Sequence, residues 1–364
     1  MRYRVLCPPI LTKYICKRFA KLLVLCLFGL TSLYLLVEFF ERLDNLMAQG
    51  LSYWFMIEYL SMRLPQVVFQ ILPVAVLMSI LLTLGGMSKD GELIALLAGG
   101  INIFQIIFPL VIICLGLSFL SGLYQESLAP ALTQKTTIRL AEIKGEKIQN
   151  KLPEGRIWLA GNQGRFFHIQ HLDPSNQTLT GLTVFEVDDS FKLKKRWDVK
   201  SCFYKNGLWH LEEAQIWSFK EGTPKVESIS QSTISWPEEF SDFASLQKDP
   251  AEMRYAELKR YVKKLEEWGY DVSVQKTDLY FKWAFPVTCF IFGLLGIPFA
   301  IRLHRGVRYM SFGISIGISF IYWILMYFGV SMAHAGIISP LVGAWAGNAL
   351  FGFMGIIMIS NVHT

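Results

Sequence analysis

Two groups of three long apolar stretches flank a polar segment of about 150 residues in this 364-residue chain. A helix that crosses a bilayer needs roughly 20 mostly apolar residues. Six stretches meet this requirement: 22–41, 64–87, 101–123, 283–301, 307–330 and 337–359. Because 52% of the residues are hydrophobic and only 18% are charged, the composition is too apolar for an ordinary soluble domain. The sequence therefore predicts a polytopic α-helical membrane protein with six transmembrane helices and a large inserted domain.

Positive charge in short loops predicts the orientation of these helices, because Lys and Arg accumulate on the cytoplasmic side. Six Lys and Arg residues lie within the first 21 positions, and Arg302, Arg305 and Arg308 surround the connection between the fourth and fifth stretches. Both regions are expected in the cytoplasm. Six spans then place both termini inside and the insert outside, which is the periplasm in a cell with two membranes. We expect a multi-pass protein of the inner (cytoplasmic) membrane.

The polar insert is predicted to be mainly β-structure. Runs rich in Val, Ile, Thr, Phe and Trp alternate with turn residues, and Asn206-Gly207 is the strongest hairpin signal. Short strands at this spacing are typical of a sandwich or a jelly roll. A helix is predicted over 250–268, with Asp249 as its N-cap and Gly269 after its end. The predicted units are 1–129, an all-β, jelly-roll-like domain with a connecting helix over 130–277, and 278–364.

Cysteine usage and motif searches restrict the chemistry of the chain. Cys202 is the only one of the six cysteines in the insert, so no intrachain disulfide is expected there. No cysteine has metal-ligand spacing, and no phosphate-binding loop of the Gly-x-x-x-x-Gly-Lys-Ser/Thr type is present. We therefore expect no cofactor and no ATP hydrolysis by the chain itself.

The segment 88–100 connects the second and third stretches on the expected cytoplasmic side. It has an acidic residue, Glu92, near its start, an apolar run after it and Gly99-Gly100 at its end. A short amphipathic helix of this kind can dock into the groove of a partner. The alternative is a simple turn at the membrane interface.

Ionisable residues near the expected outer ends of the helices suggest a ligand with phosphates and acyl chains. Such groups are costly at this depth unless they face a cavity or a partner. Glu38 and Arg42 are four residues apart and can pair on one helix face. Interfacial snorkelling is the alternative for each cation. The candidate lipid-binding residues are Arg42, Arg63, Lys135, Arg139, Lys282 and Glu38.

A nucleophile pattern also occurs, in Gly313-Ile314-Ser315-Ile316-Gly317. The hydrolase elbow needs a strand–turn–helix context, whereas this pattern lies inside a predicted membrane span. His334 is the nearest candidate base and is poorly placed. We favour helix packing through Gly313 and Gly317, and keep an intramembrane serine hydrolase as the alternative.

A set of short motifs occurs in a fixed order along nearly the whole chain: Leu64-Pro65, Pro73, Leu84-Gly85-Gly86-Met87-Ser88, Gly91-Glu92-Leu93, Ala98-Gly99, Glu126-Ser127-Leu128-Ala129-Pro130, Glu257-Leu258, Tyr261, Leu265, Gly269, Lys282, Pro286 and Gly296-Ile297-Pro298. Together with the arrangement of three helices, a β-domain and three helices, this set resembles the lipopolysaccharide export permeases of the LptF/LptG family. Within the family, the segments 41–44 and 306–308 and the short C-terminus resemble the LptG branch more than LptF.

The resemblance implies a permease subunit of an ABC exporter that extracts lipopolysaccharide from the outer leaflet of the inner membrane. The implied partners are a paralogous LptF permease, an LptB ATPase dimer that binds ATP and Mg, the single-span subunit LptC and the periplasmic LptA bridge; nucleic acid is not among them. Glu92, Leu93, Leu96 and Gly99 would couple the chain to the ATPase. Other readings are an ABC permease for another envelope lipid or lipoprotein, and a non-transporting membrane scaffold.

One departure from the family concerns the outer end of the first span. Members of the LptG type often carry lysines there, whereas the matching positions here are Glu38, Asp44 and Asn45, with Arg42 as the nearby cation. The resemblance therefore implies rearranged phosphate contacts or a less phosphorylated lipid.

Overall fold

The computed structural model describes residues 9–48, 50, 52–144, 157–161, 164–173, 176–188, 190–219, 225–245, 249–302 and 308–361. The chain forms two compact units. Met1–Gly145 and Ser273–Thr364 build a helical unit, and Glu146–Val272 builds a β unit. The helices are α1 (Pro9–Ala48), α2 (Tyr53–Lys89), α3 (Glu92–Ala98), α4 (Ile103–Ser127), α5 (Ala129–Lys144), α6 (Phe240–Ser245), α7 (Tyr255–Glu267), α8 (Ser273–Arg302), α9 (Arg308–His334) and α10 (Pro340–Ser360).

Six helices of the helical unit (α1, α2, α4, α8, α9 and α10) are long and apolar enough to cross a membrane, which confirms the six predicted spans. The apolar windows of α2 and α8 are 67% and 72% buried, whereas that of α1 is 22% buried. Thus α2 and α8 form the centre of the unit. The exposed apolar side chains of α1 and α9 suit a surface that meets lipid or another membrane protein.

Glycines allow close helix contacts at some of the positions that the sequence suggests: Gly343 and Gly347 of α10 repeat the spacing of Gly313 and Gly317, and both lie close to α9. A Cβ added to Gly293 of α8 would lie 2.6 Å from Cys114 Sγ of α4, and one added to Gly343 of α10 would lie 2.8 Å from the carbonyl oxygen of Gly329. Gly313 and Gly317 have no atom within 4 Å of an added Cβ. The prediction that these two glycines pack against a helix is therefore wrong within the described chain, because they lie on a face of α9 that no other helix covers.

A buried polar network joins the last three helices. Tyr322 Oη of α9 lies 2.8 Å from Thr288 Oγ1 of α8 and donates a hydrogen bond to Asn348 Oδ1 of α10. Asn348 Nδ2 donates to the Ala284 carbonyl oxygen at 2.7 Å. All three side chains are almost fully buried. The network satisfies polar groups that would otherwise be costly in an apolar interior.

The β unit contains a six-stranded antiparallel sheet with the strands β1 (Ile157–Ala160), β2 (Arg165–Asp173), β3 (Thr178–Val187), β4 (Leu193–Lys205), β5 (Leu208–Ser218) and β6 (Lys225–Ile234). Neighbours in the sheet are neighbours in sequence. The predicted β-structure of the insert is thus confirmed, although the β unit also contains α6 and α7. The described strands follow a meander and not the Greek-key order of a jelly roll. Asn206 and Gly207 both have positive φ between the paired residues Lys205 and Leu208, as a tight hairpin turn requires.

Aromatic residues cover one face of this sheet. Trp209 is fully buried, packs on Phe240 and Phe243 of α6, and donates from Nε1 to the Glu238 carbonyl oxygen at 2.8 Å. Indole burial of this kind contributes much of the hydrophobic stabilisation of a small domain. Phe167 of β2 packs edge-to-face against Phe243.

Two segment boundaries differ from the predicted ones. The segment after the third span continues as α5 of the helical unit, because Ile143 is buried against Met56 and Tyr59 of α2. The predicted helix over 250–268 is shorter: Asp249 caps a single 3-10 turn, and α7 begins at Tyr255. The extended backbone at Met253 separates the two, since ψ there is 146°.

Candidate functional site

The short helix α3 lies between α2 and α4 and has two different faces. It has seven residues, fewer than the predicted 88–100, because α2 continues to Lys89 and Gly91 has a φ of +74° that no helix adopts. Leu93 is buried in the core of the helical unit, and Leu96 packs on the same core. Ile94 is 60% exposed and Leu97 is also exposed. One apolar face therefore anchors α3, and a second is available to a partner.

Glu92 is held by α1 through a group of four residues that we call the α3 clamp: Tyr14, Arg18, Asp90 and Glu92. Arg18 Nη1 donates to both Glu92 carboxylate oxygens at 2.8 and 3.0 Å, and Tyr14 Oη donates to Oε2 at 2.9 Å. Arg18 Nη2 donates to Asp90 Oδ2 at 3.1 Å. The clamp is a direct mechanical connection between α3 and the first membrane span.

Sequence reasoning found Glu92 but missed Tyr14 and Arg18. Their spacing of four residues puts them on one face of α1, yet nothing local relates them to Glu92, which lies 78 positions after Tyr14 and 74 after Arg18. The side chains of Arg18 and Glu92 are 23% and 33% exposed. Partial exposure limits the net contribution of such a pair to about 1 kcal/mol, so the clamp can form and break during a conformational change. Gly99 ends α3, and its amide donates to the Ala95 carbonyl oxygen at 2.9 Å.

A second group, the Glu38 cluster, consists of Glu38, Arg42, Tyr59 and Arg63. Glu38 is only 4% exposed and accepts a hydrogen bond from Tyr59 Oη at 2.7 Å. Arg42 Nε and Arg63 Nε lie 3.6 and 3.5 Å from the same carboxylate oxygen, Oε1. Within the described part of the chain, Glu38 Oε2 has no hydrogen-bond partner. Two of the predicted lipid-binding cations thus share one buried anion that belongs to the protein.

The other three predicted cations lie apart from the Glu38 cluster. Arg139 of α5 pairs with Glu58 of α2 at 2.8 Å, and its guanidinium lies 5.0 Å from the centre of the Phe55 ring. Lys135 is exposed on the same helix, and Lys282 is buried in α8. Lys135 is therefore the most accessible of the predicted lipid-binding residues.

The residues considered for an intramembrane hydrolase are engaged elsewhere. Ser315 Oγ donates to the Phe312 carbonyl oxygen of its own helix at 2.8 Å. His334 Nε2 lies 3.2 Å from Asp278 Oδ1, beside a cavity of about 440 Å³ that Phe281 and Tyr327 also line. The serine and the histidine do not contact each other, so these two described residues do not form a nucleophile–base pair.

Comparisons with known proteins agree with this architecture. The model of the family "Lipopolysaccharide export system permease LptF/LptG" matches residues 13–361. The chain is 23% identical over 355 residues to the lipopolysaccharide export system permease protein LptG of Escherichia coli strain K12, covering 94% of this chain and 95% of that protein. The LptG of E. coli O6:H1 strain CFT073 matches with the same identity and coverage. From its match to the family model over nearly its full length, the chain belongs to the LptF/LptG family of lipopolysaccharide export permeases.

Proposed function

We propose that this protein is the LptG-type permease subunit of an ABC exporter that extracts lipopolysaccharide from the outer leaflet of the inner membrane. The observation that carries the proposal is the position of α3: its Ile94 and Leu97 face outward while Glu92 is bound to α1. A partner that grips the exposed apolar face would act directly on the first membrane span. Family membership supports lipopolysaccharide as the cargo.

The proposed partner at α3 is the ATPase dimer LptB, which binds ATP and Mg, so that the chain itself needs no cofactor. A groove in the ATPase would receive Ile94 and Leu97, as grooves receive the apolar anchors of other amphipathic helices. Leu93 and Leu96 would keep α3 seated on the helical unit. Closure of the ATPase dimer would then move α3 and, through Arg18, α1.

The proposed site of action is the exposed surface of α1 and α9. The span of α1 is the least buried of the six, so it can shift without breaking a dense core. Together with the paralogous LptF permease, this surface would enclose the acyl chains of the lipid. Lys135 would attract phosphates, whereas Arg42 and Arg63 would do so only in competition with the Glu38 carboxylate.

We further propose that both termini are cytoplasmic and that the β unit lies in the periplasm. The strands β1 and β6 have one described neighbour each. Unpaired strand edges can accept a strand of another sheet. LptC or the LptA bridge could therefore pair with an edge strand of the β unit and receive the lipid there.

The proposal is tested by co-purification of the tagged protein in nanodiscs, followed by ATPase assays with and without lipopolysaccharide. Ile94→Glu should remove the associated ATPase, because a charge would enter the apolar groove. Arg18→Met should retain the ATPase but lose most of the lipid stimulation. Lys17→Met, an exposed neighbour on α1, serves as the matched control and should behave as the unmodified protein.

Complete absence of an associated ATPase in the unmodified protein would contradict the exporter and favour a membrane scaffold. ATPase activity that responds to a different envelope lipid or to a lipoprotein, but not to lipopolysaccharide, would retain the ABC permease and replace its cargo.

A further inference from the structure

The sheet of the β unit contains a row of residues at which the regular pairing is interrupted in every strand from β2 to β6. Pairing is continuous on both sides, with Ile169↔Leu182 and His171↔Thr180 as an example, but the positions between them are unpaired. The same interruption follows in the next three ladders without a change of register. We call this row the crease; its residues are Gln170, Gly181, Lys200, Glu213 and Ser230.

The alternation of buried and exposed side chains slips by one residue at the crease. In a regular strand, residues two apart share a face. Here the buried residues that flank the crease are three apart, as in Leu179 and Leu182, and in Val199 and Cys202. Each strand therefore contains one extra residue at the same level, as in a β-bulge that extends across five strands.

The backbone at the crease departs from regular strand geometry at two positions. Gly181 has a φ of +66°, and its Cα lies so close to the Gln170 side chain that an added Cβ would overlap Gln170 Oε1. Glu213 has a φ of +53°, which is unfavourable for a residue with a side chain. Strain of this kind persists where the surrounding structure enforces it and is concentrated at binding sites. The strained backbone of Glu213 in the middle of a strand therefore indicates a candidate binding site at the crease.

A cavity of about 580 Å³ opens at the crease on the polar face of the sheet. This volume lies within the range of small-molecule sites, about 300–1,000 Å³. The charged side chains that line it are already neutralised: Lys200 Nζ donates to Glu213 Oε2 at 2.8 Å, and Arg196 Nη2 donates to Asp198 Oδ1 at 2.9 Å. Two cations and two anions leave no net charge in the lining, so neither a phosphate nor a metal ion is preferred.

The remaining polar groups of the cavity are planar side chains and hydroxyls. In the described residues, no hydrogen bond engages Asp198 Oδ2 or Glu213 Oε1, and the amide of Gln215 and the hydroxyl of Ser228 are also available. The Gln215 amide presents a donor and an acceptor side by side, which match two adjacent hydroxyl groups of a sugar, and each free carboxylate oxygen can accept a hydrogen bond from a further hydroxyl.

We propose that the crease binds a neutral, hydroxyl-rich ligand of the saccharide class. If the saccharide is the glycan of the exported lipid, the inference rests on the proposed function; a free oligosaccharide would offer the same chemistry. The polar face would then hold sugars while the opposite, aromatic face remains packed in the core of the β unit.

The test uses the full chain in nanodiscs and ligand-observed saturation-transfer NMR. The probes are a delipidated and dephosphorylated core oligosaccharide of lipopolysaccharide, intact lipopolysaccharide, and inorganic phosphate as a negative control. Gln215→Leu should weaken saccharide binding at least tenfold. Gln231→Leu, an exposed residue on β6 outside the cavity, makes the same chemical change and should have no effect.

If the free oligosaccharide binds and Gln215→Leu weakens this binding, the crease is a saccharide site for free and lipid-borne glycans alike. If Gln215→Leu weakens only the binding of intact lipopolysaccharide, the crease is a site for the lipid-borne glycan. No saccharide binding in either arm, or equal binding by the two variants, overturns the inference. ATPase assays on the same samples separate this proposal from the proposed function. Saccharide binding that depends on Gln215, without lipid-stimulated ATPase activity, supports the crease and counts against the exporter. Lipid-stimulated ATPase activity without such binding supports only the exporter.

Discussion

Replacement of Glu38 by Gln isolates the electrostatic role of the Glu38 cluster. Gln has the same shape, and its carbonyl oxygen can still accept the hydrogen bond of Tyr59, which is 2.7 Å long. The only loss is the negative charge between Arg42 and Arg63. We therefore expect a stability change that reports on this charge and not on packing.

The magnitude follows from distance and burial. At an effective dielectric constant of 20, unit charges 3.5 Å apart attract each other by about 5 kcal/mol, and Glu38 has two such partners. Desolvation offsets much of this attraction, and breaking a buried pair costs about 3–5 kcal/mol in measured cases. The two arginine side chains are still 20% and 24% exposed. We therefore expect a loss of about 3 kcal/mol, at the lower end of that range.

The assay is steric-trap unfolding in a non-ionic detergent, because an anionic detergent would itself bind the released arginines. Glu41→Gln provides the control, since Glu41 lies on the same helix and is exposed; its expected effect is below about 0.5 kcal/mol. A loss of less than 1 kcal/mol in Glu38→Gln would refute the reasoning, because the cluster would then be screened by water. A phosphate-bearing lipid should restore part of the lost stability if Arg42 and Arg63 can bind it.

Three further outcomes are expected. Asn348→Leu should lower the unfolding free energy of the helical unit by about 1–2 kcal/mol in the same assay. Two buried hydrogen bonds are lost, and such bonds contribute about 0.6 kcal/mol each on average in a membrane protein. No change would contradict a structural role. Gly181→Ala should destabilise the β unit by about 1–2 kcal/mol, because φ is positive and the new Cβ would displace Gln170. Thermal unfolding of the full chain tests this, and a neutral result would contradict the close contact between Gly181 and Gln170. Burial raises the pKa of the Cys202 thiol to about 12. The contribution of the neutral thiol to stability is therefore complete below the unfolded-state pKa and is lost as pH rises from about 8.5 towards 12, at up to about 1.4 kcal/mol per pH unit. Cys202→Ala should remove this part of the alkaline destabilisation, and an unchanged pH profile would contradict the prediction.

The sequence alone determined the features that depend on local patterns. Apolar length predicted the six spans, which the structure contains. Alternation and turn residues predicted the strands and the hairpin at Asn206-Gly207, because both φ values there suit residues that tolerate the left-handed region. The family resemblance followed from motifs in their order along the chain and was confirmed over residues 13–361.

The tertiary structure decided which residues act together. Arg18 meets Glu92, and Arg63 meets Glu38, only because α1 packs along α2 and beside α3; charge patterns identify such residues but not their partners. Burial against α2 assigned α5 to the helical unit, although its sequence is polar enough for the insert. The crease is the clearest case, since a one-residue slip in a single strand has little signal, and its meaning appears only when five strands align it in one row. Side-chain periodicity is a local property, whereas register across a sheet is set by long-range pairing.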